Sequence, residues 1–272
     1  MFERGKNGRG TGSAARRALA TIAAGTLVAS VGIAGAAAAD PTQTSAGTNG
    51  TPAGASSIAA GLQFNGAAAP AGDVLRVVPA SRSTAGSIFQ TTRTSMRQSF
   101  ESQFTFFLHG GSDPPADGLA FVIQNDPRGP AAIGQDGSAH GFSGVAPSLA
   151  VDFNIYDFFG CNCPTNQARL IPNGQYGPSG YNDSALVTVD PGIPLYGARV
   201  HAWVDYDATS HLLSVFLAPA GSPKPASPLF SYTVNLAALV GRSAYLGFTA
   251  ATGALTARMD VQGWTVRALS PL

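Results

Sequence analysis

Ala116-Asp117-Gly118-Leu119-Ala120-Phe121-Val122-Ile123 and Leu149-Ala150-Val151-Asp152-Phe153-Asn154-Ile155-Tyr156-Asp157 are the two stretches that decide the fold. Each predicts a buried strand that carries a carboxylate at one end or within apolar sequence. A charge held against apolar sequence usually has a partner or a function. We therefore place the candidate site where these two strands come together at one end of a sheet.

The rest of the chain favours one all-β domain. From Ser57 onward, short apolar and β-branched runs alternate with Gly, Pro, Asn and Asp, as in a sheet sandwich. Within Ser99 to Leu108, Phe100, Phe104 and Phe106 share one face of the predicted strand. Other predicted strands include Ile58 to Phe64 and Ser184 to Val189. None is predicted between residues 157 and 183, and Leu236 to Leu239 predicts one short helical turn.

The N-terminus has the pattern of an export signal. Residues 1–39 combine a basic head, an apolar Ala/Gly-rich run and small residues before Asp40, which indicates a cleaved signal peptide. An uncleaved membrane anchor is the alternative. Residues 40–56 are rich in Thr, Gly, Pro and Ser and predict a flexible linker, followed by a domain at 57–270. We expect a secreted, extracellular protein with no membrane span in its mature form.

Charge excludes some functions. Without residues 1–39, which hold 5 of the 16 basic and 1 of the 15 acidic residues, the chain has 11 basic and 14 acidic residues, a net charge of −3. This balance argues against a nucleic-acid partner. Glu101 is the one glutamate beyond the leader. Glycoside hydrolysis usually needs two facing carboxylates, so the composition favours sugar binding over cleavage, although paired aspartates remain open.

The order of several motifs resembles the legume-type (L-type) lectins, in particular their secreted bacterial relatives. The motifs are FNG at 64–66, SFESQFTFFL at 99–108, ADGLAFVIQ at 116–124, LAVDFNIY at 149–156, LGFTAATG at 246–253 and DVQGWTV at 260–266. They follow the family's order across about residues 57 to 268. The resemblance implies a concanavalin A-like jelly-roll sandwich of antiparallel sheets.

The resemblance also implies a sugar site. In that family the Ala-Asp bond of A-D-G is commonly cis and aims the Asp carboxylate at two sugar hydroxyls, a role that falls to Asp117. The full set that we expect to contact sugar is Asp117, Gly118, Ser138, Phe158, Ala254 and Leu255. Ser138 replaces the second glycine of a loop whose amide donates to the sugar, and Phe158 could stack on a sugar face. A turn Asp and a plain surface loop are the alternatives.

The same resemblance implies a metal site that this chain only partly keeps. Asp152 holds the family's first acidic position, Asn154 replaces an Asp, and Phe158 stands where a sugar-binding Asn is expected. Asp152, Asn154, Tyr156 and Asp157 are the candidate metal ligands, with calcium as the candidate ion because oxygen ligands suit it. No later Asp and His complete a transition-metal site, so that ion is not expected. A metal-free loop is the alternative.

Cys161 and Cys163 are the two cysteines of the chain. In an exported protein they would oxidise, and so close a pair would form a small ring that pins the loop. An intermolecular or free pair and metal-bound thiolates are the alternatives.

The leading hypothesis is a secreted, non-catalytic lectin domain that recognises glycans or polysaccharide and could form a homodimer. Two other classes remain open. One is a structural or adhesive module that keeps the fold but has a degenerate sugar site, and the other is a glycan-active hydrolase.

Overall fold

The computed structural model describes residues 58–158, 160–175 and 185–269. The predicted signal peptide and linker lie outside them. The strands are β1 (Leu62–Gly66), β2 (Ala69–Ala71), β3 (Val74–Val78), β4 (Thr84–Gln90), β5 (Thr94–Ser95), β6 (Phe100–His109), β7 (Gly118–Gln124), β8 (Ser148–Asp157), β9 (Cys163–Pro172), β10 (Val187–Val189), β11 (Arg199–Asp207), β12 (Leu212–Pro219), β13 (Phe230–Thr233), β14 (Ser243–Thr252) and β15 (Arg258–Ala268). One short helix, α1 (Leu236–Leu239), lies where one helical turn is predicted.

Two antiparallel sheets form a sandwich, which confirms the predicted jelly-roll fold. The eight-stranded sheet has the order β1-β4-β14-β7-β8-β9-β10, with β5 paired to β14. The seven-stranded sheet has the order β13-β12-β11-β6-β15-β3-β2. The two stretches that decide the fold are β7 and β8, which pair directly in the middle of the eight-stranded sheet.

The core between the sheets follows the alternation in the sequence. Phe100, Phe104 and Phe106 on β6 are fully buried, whereas Gln103 between them is exposed. Phe104 packs against Phe121 of β7, with ring centroids 5.5 Å apart. Aromatic contacts of this kind add about 0.5–1.5 kcal/mol beyond burial of apolar area.

The eight-stranded sheet is also covered on its outer face. Loop residues 125–147 fold over this face and bring Ala132, Phe142 and Val145 onto Ala120 and other small residues of the sheet, in a second apolar cluster. This cover explains why every residue of β7 is buried. A strand buried on both faces has a nearly continuous apolar sequence, as GLAFVIQ does.

Three strands differ from their predictions. β1 begins at Leu62 rather than Ile58, and the described part of the strand expected at 184–189 is limited to Val187–Val189. The largest difference is β9, which was not predicted. Its sequence CPTNQARLIP is polar in its first half and has Pro164 near its start. β10 pairs only with residues 168–170 of β9. Pro164, which has no N–H to donate, therefore lies in a part of β9 that does not pair with β10.

No helix within the three described ranges is long and apolar enough to cross a membrane.

Candidate functional site

Asp117 lies immediately before β7, and its backbone is held by both neighbouring strands. The Ala116–Asp117 peptide bond is cis, as in the family that the sequence resembles. The Asp117 N–H donates to the carbonyl of Ala251, at 3.3 Å, and its carbonyl accepts from the N–H of Ile155, at 3.0 Å. The backbone of Asp117 is therefore held by β14 on one side and β8 on the other.

The carboxylate of Asp117 is buried but only partly satisfied. Asp117 is 5% exposed, and its Oδ2 has no hydrogen-bond partner within the described residues. Burial raises the pKa of Asp117, although the charge of His140 and a backbone hydrogen bond from Gly253 act in the opposite direction. An unpaired buried acceptor is costly, and a ligand that donates a hydrogen bond would remove that cost.

Two glycine backbones form the walls beside this oxygen. A methyl group added at Gly253 would lie 3.4 Å from Asp117 Oδ2 and 3.4 Å from the Cα of Gly137. Gly137 begins a short 3-10 turn, Gly137–Ala139, with a backbone φ of 63° that favours glycine. Ser138, the next residue, has an N–H with no acceptor in the part of the chain that the structure describes. A carboxylate acceptor and a free amide donor thus lie on adjacent segments.

The other predicted sugar contacts are spread around this point. Gly118 is buried at the start of β7, opposite Asn154 of β8. Ala254 is exposed and Leu255 half-buried in the loop that follows β14, next to Gly253. Phe158 is 53% exposed just after β8, four residues beyond Asn154. Four residues at the usual rise along a strand span roughly 13 Å. Phe158 therefore lies at the same end of the sheet as Asp117 but further out.

Asp152, the first candidate metal ligand, has a different set of partners. Its Oδ1 is 2.6 Å from the Nδ1 of His140, and its Oδ2 is 2.7 Å from the Nε and 2.6 Å from the second guanidinium nitrogen of Arg169. All three side chains are almost completely buried. Burial would raise the pKa of Asp152, but the charges and hydrogen bonds of Arg169 and His140 outweigh it and hold this pKa below its ordinary value.

Two further candidate metal ligands are engaged by residues of β8, β9 and the loop between them. Asn154 Oδ1 accepts from the Tyr156 N–H, at 3.3 Å, and its amide donates to Gln167. Asp157 Oδ1 accepts from the Gly160 N–H, at 2.8 Å. No three His, Cys, Asp or Glu residues within the described ranges are grouped so as to hold a metal ion. Asp152, with a guanidinium on one oxygen and an imidazole on the other, does not fit a calcium ligand.

Cys161 and Cys163 form a disulfide, with their Cα atoms 5.2 Å apart. It lies at the tip of the loop between β8 and β9. The Tyr156 hydroxyl reaches the same tip, where it donates to the carbonyl of Asn162 at 3.0 Å. The loop therefore has a covalent ring and a hydrogen bond back to β8.

The contacts made by three residues of this region are not evident from the sequence. His140 lies in a loop and adopts a left-handed conformation with φ of 47°. Arg169 belongs to the unpredicted strand β9, and Gly253 is one of 33 glycines. The one signal that could have suggested Arg169 is the rarity of arginine beside an apolar run such as Leu170-Ile171, because a buried arginine requires an acidic partner.

Comparison with known sequences gives plant receptor kinases as relatives. A probable inactive L-type lectin-domain containing receptor kinase III.1 of Arabidopsis thaliana is 29% identical over 177 residues, which cover 61% of this chain and 28% of that protein. L-type lectin-domain containing receptor kinase SIT1 of Oryza sativa subsp. japonica is 37% identical over 93 residues, 34% of this chain and 14% of that protein. The chain thus spans less than a third of the length of these relatives.

Similar solved structures are lectins. A lectin from Bauhinia forficata in complex with GalNAc matches with a TM-score of 0.62 and 20% identity, over 78% of this chain and 93% of the lectin. The exoplasmic/lumenal domain of VIP36, in a Ca²⁺- and Man2-bound form, matches with a TM-score of 0.61 and 18% identity, over 78% of this chain and 82% of that domain. At these identities the likeness establishes the fold.

A family model matches the whole of the predicted domain. The model of the legume lectin domain aligns with residues 56–270. The two sheets, the cis Ala116–Asp117 bond and the order of motifs agree with this match. The chain therefore belongs to the legume lectin domain family.

Proposed function

We propose that this chain is a secreted, non-catalytic carbohydrate-binding domain whose ligand is a glycan or polysaccharide. The observation that carries the proposal is the buried carboxylate of Asp117, with one oxygen unpaired beside two glycine backbones. Secretion rests on the predicted signal peptide, and assignment to the bacterial branch rests on the composition of the leader. The similar structures include a lectin in complex with GalNAc and a domain bound to Man2, which supports sugar as the ligand class.

The geometry suits a pair of sugar hydroxyls. A carboxylate accepts hydrogen bonds from two neighbouring hydroxyls, and an ionised acceptor makes these bonds stronger than a neutral one. The free N–H of Ser138 can donate to a hydroxyl oxygen of the same ring. The half-buried side chain of Leu255 and the exposed Phe158 offer apolar surface for the C–H groups of a pyranose.

Asp152 is not available as a second carboxylate for hydrolysis. Asp117 is the one carboxylate with an unpaired buried oxygen at this end of the described sheet. Asp152 has both oxygens committed to Arg169 and His140. A glycosidase needs a second, free carboxylate across the scissile bond, and Asp152 does not offer one.

The test is a glycan array with the full chain, its Asp117→Asn variant and Asp73→Asn as a matched control on an exposed turn. We expect the wild type and Asp73→Asn to bind the same glycans. Asp117→Asn should lose at least about tenfold in affinity, because a hydrogen bond to a charged group contributes roughly 1.5–3 kcal/mol. The array presents many copies of each glycan, so that multivalency compensates for a weak single site.

Two outcomes would contradict the proposal. If folded wild-type protein bound no glycan, the structural or adhesive module would replace it. If Asp117→Asn bound as well as the wild type, sugar recognition would lie elsewhere on the chain. A reducing-end assay on the same glycans should detect no release, and release that is abolished by an aspartate substitution would establish an enzyme instead.

A further inference from the structure

A buried ionic cluster stands where the family resemblance predicts a metal. We define the Asp152 cluster as His140, Asp152 and Arg169. The three side chains are 1%, 0% and 4% exposed, and three contacts of 2.6–2.7 Å join them. Asp152 on β8 lies directly opposite Arg169 on β9, so strand register alone brings the two together.

The cluster leaves little room for a divalent cation at Asp152. The Nδ1 of His140 and the Oδ1 of Asp152 lie 2.6 Å apart, so this carboxylate oxygen is already engaged in a hydrogen bond. A cation bound to Asp152 would also lie beside the guanidinium of Arg169, at a separation where like charges repel strongly away from water. Asn154, the next candidate ligand, is neutral and already accepts a backbone N–H. The two oxygens of Asp152 are thus already engaged by an imidazole and a guanidinium.

The Asp152 cluster also reaches the candidate sugar site. His140 lies in the loop that follows Gly137 and packs against the backbone of Gly118, the residue after Asp117. A methyl group added at Gly118 would lie 2.4 Å from the Cε1 and 2.6 Å from the Nδ1 of His140. The cluster therefore joins β8, β9 and the covering loop at the point where that loop approaches the carboxylate.

We propose that Arg169 and His140 are positioning residues that hold Asp152, the covering loop and the sugar site in place without a divalent cation. In this arrangement an internal guanidinium provides the positive charge that bound metal would otherwise supply to Asp152. Glycan binding and folding are then independent of calcium and of transition metals. The part that concerns glycan binding rests on the proposed function, whereas the part that concerns folding does not.

The first experiment measures metal dependence. The full chain is freed of metal with EDTA, and its melting temperature and glycan affinity are measured in EDTA, calcium and manganese. We expect melting temperatures within about 1 °C and affinities within about twofold, because a ligand stabilises a fold only if it binds the folded state. A rise of several degrees with calcium or manganese, or binding that is lost in EDTA and restored by metal, would overturn the proposal.

The second experiment tests Arg169 as a positioning residue. Arg169→Met keeps the approximate length of the side chain but removes both contacts to the buried Oδ2 of Asp152, whereas Arg169→Lys keeps the positive charge. Arg97→Met, on an exposed site, is the matched control. In EDTA and well below the melting temperature, we expect Arg169→Met to lose at least about tenfold in glycan affinity, Arg169→Lys to recover part of that loss, and Arg97→Met to match the wild type.

The two proposals can fail separately. If Arg169→Met folds and binds glycan like the wild type while Asp117→Asn does not bind, the positioning role of Arg169 is wrong and the proposed sugar site still stands. If the wild type bound no glycan, the proposed function would fail, and the melting temperatures would still test the cluster. In that case the role of the Asp152 cluster would be refuted if Arg169→Met had an unchanged melting temperature. It would also be refuted if calcium stabilised the wild type.

Discussion

Asp117→Asn should stabilise the protein at neutral pH while it weakens sugar binding. The wild-type carboxylate is 5% exposed with Oδ2 unpaired, and burial is the largest influence that raises its pKa. A folded-state pKa above the unfolded value means that the ionised group destabilises the fold, and that this penalty grows as the pH rises through the unfolded value toward the folded one. Asparagine has nearly the same shape and carries no charge.

The size of the effect follows from the one unpaired oxygen. A buried acceptor without a partner costs about 1–3 kcal/mol, and more when it is charged. Asparagine leaves a polar amide in the same position, so we expect only the lower part of this range to be recovered, about 1 kcal/mol. For a domain of this size that corresponds to a rise of about 2–4 °C in melting temperature.

The assay is thermal unfolding of wild type, Asp117→Asn and the exposed control Asp73→Asn across a series of pH values. The stabilisation by Asp117→Asn should be largest near neutral pH and should vanish in acid, where the wild-type carboxyl is protonated. The same protonation should weaken glycan binding by the wild type, because a neutral carboxyl loses acceptor strength. A lower melting temperature for Asp117→Asn at neutral pH would refute the reasoning, since it would mean that the carboxylate has a stabilising partner.

Three further changes test neighbouring parts of the structure. Gly118→Ala should destabilise the fold by about 1–3 kcal/mol, measured by urea unfolding, because its methyl group would lie 2.4 Å from a ring atom of His140; unchanged stability would contradict that packing. The methyl group of Gly253→Ala would lie 3.4 Å from its nearest neighbours, so we expect the melting temperature to shift by less than about 3 °C. Glycan binding should nevertheless weaken, because the methyl group lies beside Asp117 Oδ2. Undiminished binding would place the sugar elsewhere. Asp126→Asn should cost about 1–2 kcal/mol near neutral pH and progressively less from about pH 4 to about pH 2, since Arg128 lowers the pKa of Asp126 to about 2; a loss independent of pH would contradict this.

Those parts of the fold that depend on local pattern could be predicted from the sequence. β6 shows period-two alternation of phenylalanine, and β7 and β8 are nearly continuous apolar runs, so their location and burial follow from the residues themselves. Asp117 stands at the edge of one such run, which is why it could be named as a site residue. These signals need no knowledge of which strands pair.

The partners of Asp152 depend on pairing and could not be predicted in this way. Arg169 lies in β9, whose polar first half and proline hide the strand. His140 is brought to Asp152 by a covering loop that contains several left-handed residues, among them Gly137 and Gly141. A contact that is set by register and by loop conformation leaves no periodic trace in the sequence. A carboxylate in an apolar strand therefore indicates that a partner exists, but not whether the partner is a metal, an arginine or a ligand.

Asp117 and Asp152 show how the structure separates these cases. Both are buried carboxylates, Asp117 immediately before β7 and Asp152 on the adjacent strand β8, and the sequence gives each an apolar setting. The pKa of Asp152 is lowered because Arg169 and His140 more than offset its burial, whereas the pKa of Asp117 is raised because burial dominates. A carboxylate whose two oxygens are both engaged by neighbouring side chains is not available to a ligand. Asp117 retains a costly unpaired oxygen beside the backbones of Gly137 and Gly253, and a sugar hydroxyl would satisfy that oxygen.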